Sequence, residues 1–297
     1  MVTETINIQV DYTKAKLPFN TPENFNPKRD DKMPTLTTYI HDDFALKEYV
    51  PAKRKAVIVV PGGGYHFVSE REGEPVALQF FAAGFQVFVL NYSVAPSVFP
   101  ASLMELSLAV KYVRDRAEEL RIEKDQIAVC GFSAGGHLTA SLCNMWQEDF
   151  LAESLGVTKE DIRPNGAILS YPVISAGPNA HQGSFKNLLG DEELRFLIDY
   201  VSLENRVTEN TPKTFLWSTW TDQLVPIMNT LLYGEALAKV GINCEMHIFR
   251  CGRHGLSLAN EQVVKNGEDG VNAVSPIVNP HVAQWISLAC DWVKNNL

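Results

Sequence analysis

Residues 131–135 read Gly131-Phe132-Ser133-Ala134-Gly135. The apolar run Ile127-Ala128-Val129-Cys130 precedes them, and a run with helical character follows. A serine between two glycines at a strand-to-helix turn is in the setting of a nucleophile. The tight turn lifts the hydroxyl above the sheet, and side chains at the glycine positions would collide. The N-terminus of the following helix adds partial positive charge where an oxyanion would develop. The chemistry of that arrangement is acyl transfer through Ser133. The competing interpretation is that Gly135 and Gly136 only allow the helix to pack close to the sheet.

Acyl transfer also needs backbone N–H donors around the tetrahedral oxygen. Val57-Ile58-Val59-Val60 reads as a strand, and Pro61-Gly62-Gly63-Gly64-Tyr65 follows it. Three glycines leave amides unobstructed. The expected oxyanion donors are Gly63 and Gly64, joined by Ala134 after the nucleophile, with an uncertainty of one position along the glycine run. Pro61 stands where related loops carry histidine. Neither G-x-x-x-x-G-K-[ST] nor G-x-G-x-x-G occurs here, which argues against a phosphate loop.

The base must follow the serine in this type of site, with an acid between them. Five histidines follow Ser133: His137, His181, His247, His254 and His281. His137 lies within the nucleophile helix, His181 in a long connection, His247 inside a strand, and His281 at the start of the last helix. His254 sits a few residues beyond the last strand, on the edge where the nucleophile also lies. It is the expected base. Asp222 follows the strand Phe215-Leu216-Trp217-Ser218 and is the expected orienting acid. Asp199, Glu204 and Glu209 are weaker candidates. A helix cap is the plainer role for an aspartate at that position.

These loops need a scaffold that brings them to one edge. Short apolar runs at 55–60, 86–90, 126–130, 166–170, 213–218 and 244–249 suit strands buried on both faces of a parallel sheet. Helical spacing occupies 74–83, 103–120, 134–146, 228–240 and 281–296, and the N-terminus reads as a first strand. The alternation predicts an α/β fold with a mostly parallel central sheet and helices on both faces. The expectation is one domain over 1–297, with an irregular arm at about 11–35. Residues 172–212 form a small cap-like insertion, and 255–280 a loop that shapes the site.

The chain of 297 residues has a formal net charge of -9. That balance disfavours a nucleic-acid backbone or an anionic membrane as partner. No apolar stretch has the length of a membrane span, and the five cysteines are odd in number with no CxxC pair. The N-terminus has early acids and no signal-peptide pattern, so a cytoplasmic protein with reduced thiols is expected. No metal spacing such as H-E-x-x-H occurs, and no cofactor is expected. Glu70, Glu72 and Glu74 read as carboxylates at a helix start. A homo-oligomer is compatible with the sequence.

The segments PGGGYHFVSEREGEPVALQF, FQVFVLNYSV, GFSAGGHLTASL, LENRVTENTPKTFLWSTWTDQLVP and CGRHGL resemble a bacterial group of acetylxylan esterases and xylanase-associated esterases or lipases. That group belongs to the α/β-hydrolase superfamily and has hormone-sensitive-lipase-like relatives. The resemblance runs from about residue 36 to the C-terminus. It implies the α/β-hydrolase fold, the triad Ser133, Asp222 and His254, and removal of short acyl groups, acetyl first, from sugars such as xylo-oligosaccharides. The partner is then a small ester substrate, and Tyr65, His66 and Trp220 are expected to face it, with sugar stacking weighed against core packing. Feruloyl or general carboxylesterase, arylformamidase and peptidase chemistry on the same site are the alternatives. A non-catalytic binding protein of this fold would lack a triad member, and none is missing.

Overall fold

The computed structural model describes residues 1–42, 53–265 and 277–297. Eight strands form one sheet: β1 (Val2–Asn7), β2 (Thr35–Ile40), β3 (Arg54–Val60), β4 (Gln86–Asn91), β5 (Ile122–Phe132), β6 (Gly166–Ser170), β7 (Thr214–Thr219) and β8 (Cys244–Phe249). Their order is β1-β2-β4-β3-β5-β6-β7-β8. β1 with β2 and β2 with β4 are antiparallel, and the remaining neighbours are parallel. The helices are α1 (Glu74–Ala82), α2 (Ala101–Asp115), α3 (Ala134–Met145), α4 (Asp149–Leu155), α5 (Gln182–Leu189), α6 (Met228–Lys239) and α7 (Trp285–Asn296). This is an α/β-hydrolase fold, as expected.

Alternation along the buried strands divides the core in two. Ile58 and Val129 point to the face covered by α2, α3 and α6. Val57, Val59, Ala128 and Cys130 point to the other, covered by α1 and α7. Full burial of each such aliphatic side chain stabilises by about 1.5–3 kcal/mol, so both faces hold the sheet in register.

Several boundaries differ from the sequence expectation for local reasons. α2 stops at Asp115, where Arg116 leaves helical geometry at φ -99 and ψ 15, and the chain then turns through Arg121 at φ 55 into β5. β5 starts four residues before the expected 126. Arg54 pairs with Ile122 but Ala56 with Ile127, so exposed Glu123, Lys124 and Asp125 bulge out of the ladder. β2 was not among the expected apolar runs, since its sequence TLTTYI is not continuously apolar; only its Leu36, Thr38 and Tyr39 are buried. The 11–35 arm is irregular apart from a short turn at Tyr12–Lys14. It is tied down where Tyr12 Oη donates to Glu105 at 2.5 Å and Lys16 N to Ser154 Oγ at 2.8 Å. Segment 172–212 contains α5 and two short turns, Arg195–Leu197 and Leu203–Asn205. The expected shaping loop 255–280 is described over 255–265 and 277–280; its 266–276 part lies outside the described residues.

Candidate active site

The C-terminal ends of β3, β5, β7 and β8 deliver the glycine loop, Ser133, Asp222 and His254 to one edge of the sheet. Ser133 stands between the last residue of β5 and the first of α3, with φ 51 and ψ -116. An L-residue in that conformation is strained. The surroundings hold it: Ser133 N donates to Ser170 O at 3.0 Å, and Ser133 O accepts from His137 N and Val173 N, each at 3.0 Å. The flanking glycine is required by close approach. A Cβ on Gly135 would lie 2.2 Å from Val60 O and 2.3 Å from Pro61 O, both backbone atoms.

His254 Nδ1 lies 2.6 Å from Asp222 Oδ2, and His254 Nε2 lies 2.7 Å from Ser133 Oγ. A carboxylate only accepts, so Nδ1–H donates to Asp222, and Nε2 is left to accept from the Ser133 hydroxyl. Asp222 is buried, and its other oxygen accepts from Leu224 N at 2.9 Å and Val225 N at 3.0 Å. The aspartate therefore does cap the chain that follows β7, and it meets the imidazole as well. Sequence reasoning had set these two roles against each other. His254 Nδ1 meets Asp222, whereas the Glu204 carboxylate is engaged by Ser202 Oγ at 3.0 Å.

The glycine loop bends sharply, with φ 127 at Gly63, 63 at Gly64 and 55 at Tyr65. Among the described residues, the amides of Gly63, Gly64 and Ala134 have no protein acceptor. Gly62 N is different, because it donates to Glu72 Oε2 at 2.9 Å. Gly64 O is held by Asn187 Nδ2 at 2.8 Å.

Ser133, His254, Gly63 and Gly64 line a cavity of about 730 Å³. His66 lines it too. Tyr65 does not: it is buried, and its hydroxyl donates to His137 Nδ1 at 2.8 Å. Its backbone at positive φ turns the ring away from the cavity and into the core, beside Tyr92. Trp220 is 59% exposed and is not part of the cavity wall; Thr221, Gln223 and Leu224 of the same loop are. Both assignments as substrate-facing residues are corrected accordingly.

Sequence reasoning missed Glu72, Tyr171, Phe67 and His181. Glu72 is 97% buried by fractional exposure of 3%, accepts from Gly62 N, and accepts from Tyr171 Oη at 2.7 Å. Tyr171 Oη accepts in turn from Ser257 N at 2.9 Å, and its ring packs edge-on against His254 with centroids 5.1 Å apart. Burial, and then the Glu72 carboxylate, push its phenol well above the usual range. Glu72 thereby joins the glycine loop to the loop that carries His254. Nothing in the sequence separates it from its neighbours Glu70 and Glu74. Phe67 and His181 line the cavity. Burial, and then the nearby His254, lower the His181 imidazole, whose Nδ1 contacts Ser184 Oγ at 2.8 Å. His137 is fully enclosed, and burial pulls it down to about 4. Its Nε2–H donates to Val201 O at 2.9 Å. Among the described residues, no group of three or more His, Cys, Asp or Glu is arranged to hold a metal ion.

Residues 43–237, more than half of the chain, match the family described as BD-FAE. The chain is 35% identical over 246 residues to endo-1,4-beta-xylanase B of Butyrivibrio fibrisolvens, a match that spans 80% of this chain and 37% of the relative. It is 32% identical over 207 residues to the acetylxylan esterase of Xylanibacter ruminicola, spanning 68% of this chain and 41% of the relative. The matches therefore span well under half the length of these curated relatives. The crystal structure of an acetyl ester-xyloside bifunctional hydrolase from Caldicellulosiruptor lactoaceticus is similar with a TM-score of 0.76 at 34% identity, covering 98% of this chain and 95% of that one. Fold and relatives place the chain in the α/β-hydrolase class. Within that class, the chain belongs to the BD-FAE family.

Proposed function

We propose that the chain is a serine esterase that removes short acyl groups, acetyl first, from sugars such as xylo-oligosaccharides. The observation that supports it best is the unbroken line from Asp222 through His254 to Ser133, at 2.6 and 2.7 Å, facing amides with no acceptor of their own. As Ser133 Oγ attacks the ester carbonyl carbon, its proton passes to His254 Nε2. Asp222 holds the imidazole and stabilises its cation. The Gly63, Gly64 and Ala134 amides receive the oxyanion. The tetrahedral species collapses, the C–O bond to the alcohol breaks, and the alcohol leaves with the proton from Nε2. Water then gives a proton to Nε2 and attacks the acyl carbon; as the bond to Ser133 Oγ breaks, Nε2 returns that proton to Oγ, and the acid leaves. The choice of acetyl and of a sugar alcohol rests on the names of the Xylanibacter ruminicola and Caldicellulosiruptor lactoaceticus relatives.

The test compares wild type with Ser133→Ala on p-nitrophenyl acetate and on an acetylated xylo-oligosaccharide. Both activities are expected to fall by roughly 10⁶-fold in the variant. A Ser133→Ala protein that still hydrolyses either ester overturns the assignment.

A further inference from the structure

Two guanidinium groups, Arg71 and Arg253, border the cavity that holds Ser133 and His254. Elsewhere Arg29, Arg116, Arg163 and Arg206 each pair with a glutamate, and Arg114 is held by the carbonyls of Asp161 and Arg163. Arg195 and Arg250, which pair with no carboxylate among the described residues, do not line this cavity. Among the described residues, Arg71 and Arg253 have no carboxylate within ion-pair distance, in a chain whose formal net charge is -9. The acid next to Arg71 is already engaged, since both oxygens of Glu72 accept from other donors, Gly62 N and Tyr171 Oη. Glu70 and Glu74 line a neighbouring cavity of about 660 Å³, and not this one.

The placement of Arg71 is built. Its backbone carbonyl accepts from Ser257 Oγ at 2.6 Å. A Cβ on Gly255 would lie 2.9 Å from Arg71 Nη2, so the guanidinium rests against the residue that follows the base. Arg71 is half-buried and Arg253 exposed. A partly desolvated cation with no anion beside it is unfavourable until a ligand supplies one. The planar guanidinium fork matches a carboxylate. Phe67, 57% exposed, borders both cavities together with the two arginines and offers a ring face to a sugar.

Building on the esterase reading above, we infer that Arg71 and Arg253 form a carboxylate subsite. The preferred substrate is an acylated oligosaccharide that carries a hexuronic acid beside the acylated sugar. The sugar chain lies across Phe67, the acyl group faces Ser133, and the uronate meets the two guanidiniums.

The experiment compares kcat/KM for two matched acetylated oligosaccharides, one neutral and one with a hexuronic acid on the sugar next to the acetyl. Wild type is expected to favour the uronate by about ten-fold at low salt, and the preference should shrink as salt rises. Arg71→Gln and Arg253→Gln should each lower the ratio. Any general damage to the site cancels, because the ratio is taken within each variant. A ratio near one in wild type, or one unchanged in both variants, overturns the subsite. A preference for a neutral sugar hemisuccinate instead puts the carboxylate on the acyl side and overturns the assignment to the sugar. If neither ester is hydrolysed, the esterase reading fails, and calorimetric binding to Ser133→Ala decides the subsite alone. Tighter binding of the uronate oligosaccharide upholds it, and equal binding overturns it.

Discussion

Glu72 and Tyr171 meet side chain to side chain at 2.7 Å, each also bonded to the backbone of a loop that forms the site. Glu72 holds Gly62 ahead of Gly63 and Gly64, and Tyr171 holds Ser257 just beyond His254. In the proposed mechanism the carboxylate acts through both loops without touching the reacting atoms. Glu72→Gln keeps the shape but places an amide donor where two donors already converge. If the amide oxygen keeps Gly62 N, the NH2 faces Tyr171 Oη and the tyrosine O–H loses its acceptor, at about 1–3 kcal/mol. The expected result is a fall in kcat of roughly 10- to 100-fold with KM little changed, read from steady-state ester hydrolysis. Wild-type kcat in this variant would show that the link is dispensable.

Asp222→Asn separates the two duties of that residue. Oδ1 would still accept from Leu224 N and Val225 N, so the fold should hold. The other oxygen's place can be taken by an amide donor, which favours the tautomer with the proton on Nε2 and removes the acceptor for Ser133. The expected loss in kcat is on the order of 10⁴-fold, with a circular-dichroism spectrum like that of wild type. Undiminished turnover would move the acid to another residue.

Gly135→Ala tests the contact between α3 and the end of β3. The added Cβ would lie 2.2 Å from Val60 O, and backbone on both sides leaves no side chain to swing away. A destabilisation above about 3 kcal/mol is expected, seen as a large drop in the denaturation midpoint. Near-native stability would mean that the helix can shift cheaply.

His137 and Glu105 give stability opposite slopes with pH. Burial lowers His137 to about 4, against an ordinary 6.5. Below pH 6.5 the unfolded chain takes up a proton that the folded one refuses, so stability is lost as pH falls toward 4, by roughly 3 kcal/mol. His137→Gln should flatten that loss in denaturant titrations at pH 7, 6 and 5. An identical slope in the two proteins would mean that His137 does not titrate this way.

Glu105 behaves in reverse. Burial raises its carboxyl to about 7 from an ordinary 4.5, against the donors Ser93 N and Tyr12 Oη. Between those values the folded chain holds a proton that the unfolded one has released. Stability from this residue is therefore present at pH 4.5 and lost as pH rises through 7, by roughly 3 kcal/mol. Glu105→Gln should gain on wild type steadily from pH 4.5 to 7.5. A constant difference across that range would refute the shift.

The fold was legible wherever a residue pattern had a single physical cause. Continuous runs such as Val57–Val60 can only be buried on both faces, and the elbow at Ser133 announces its own turn. That Ser133, Asp222 and His254 would meet at one edge was legible because each stands just past a readable strand. Tyr65 and Trp220 could not be placed, since an aromatic side chain on a loop fits core and cavity equally well, and the partners that hold Tyr65, His137 and Tyr92, are brought to it by the fold. Glu72 was beyond reach for another reason: its partners at 62 and 171 are set by the fold, and one of them lies 99 residues away.

The imidazole of His137 touches three parts of the chain at once. It takes a hydrogen bond from Tyr65, gives one to Val201, and packs edge-on against Phe185 with centroids 5.3 Å apart. Positions 65, 137, 185 and 201 are thus packed as one unit. Exchanging the 172–212 segment with that of a relative to alter specificity requires carrying the matching residues at 65 and 137 along with it, or the glycine loop loses its brace.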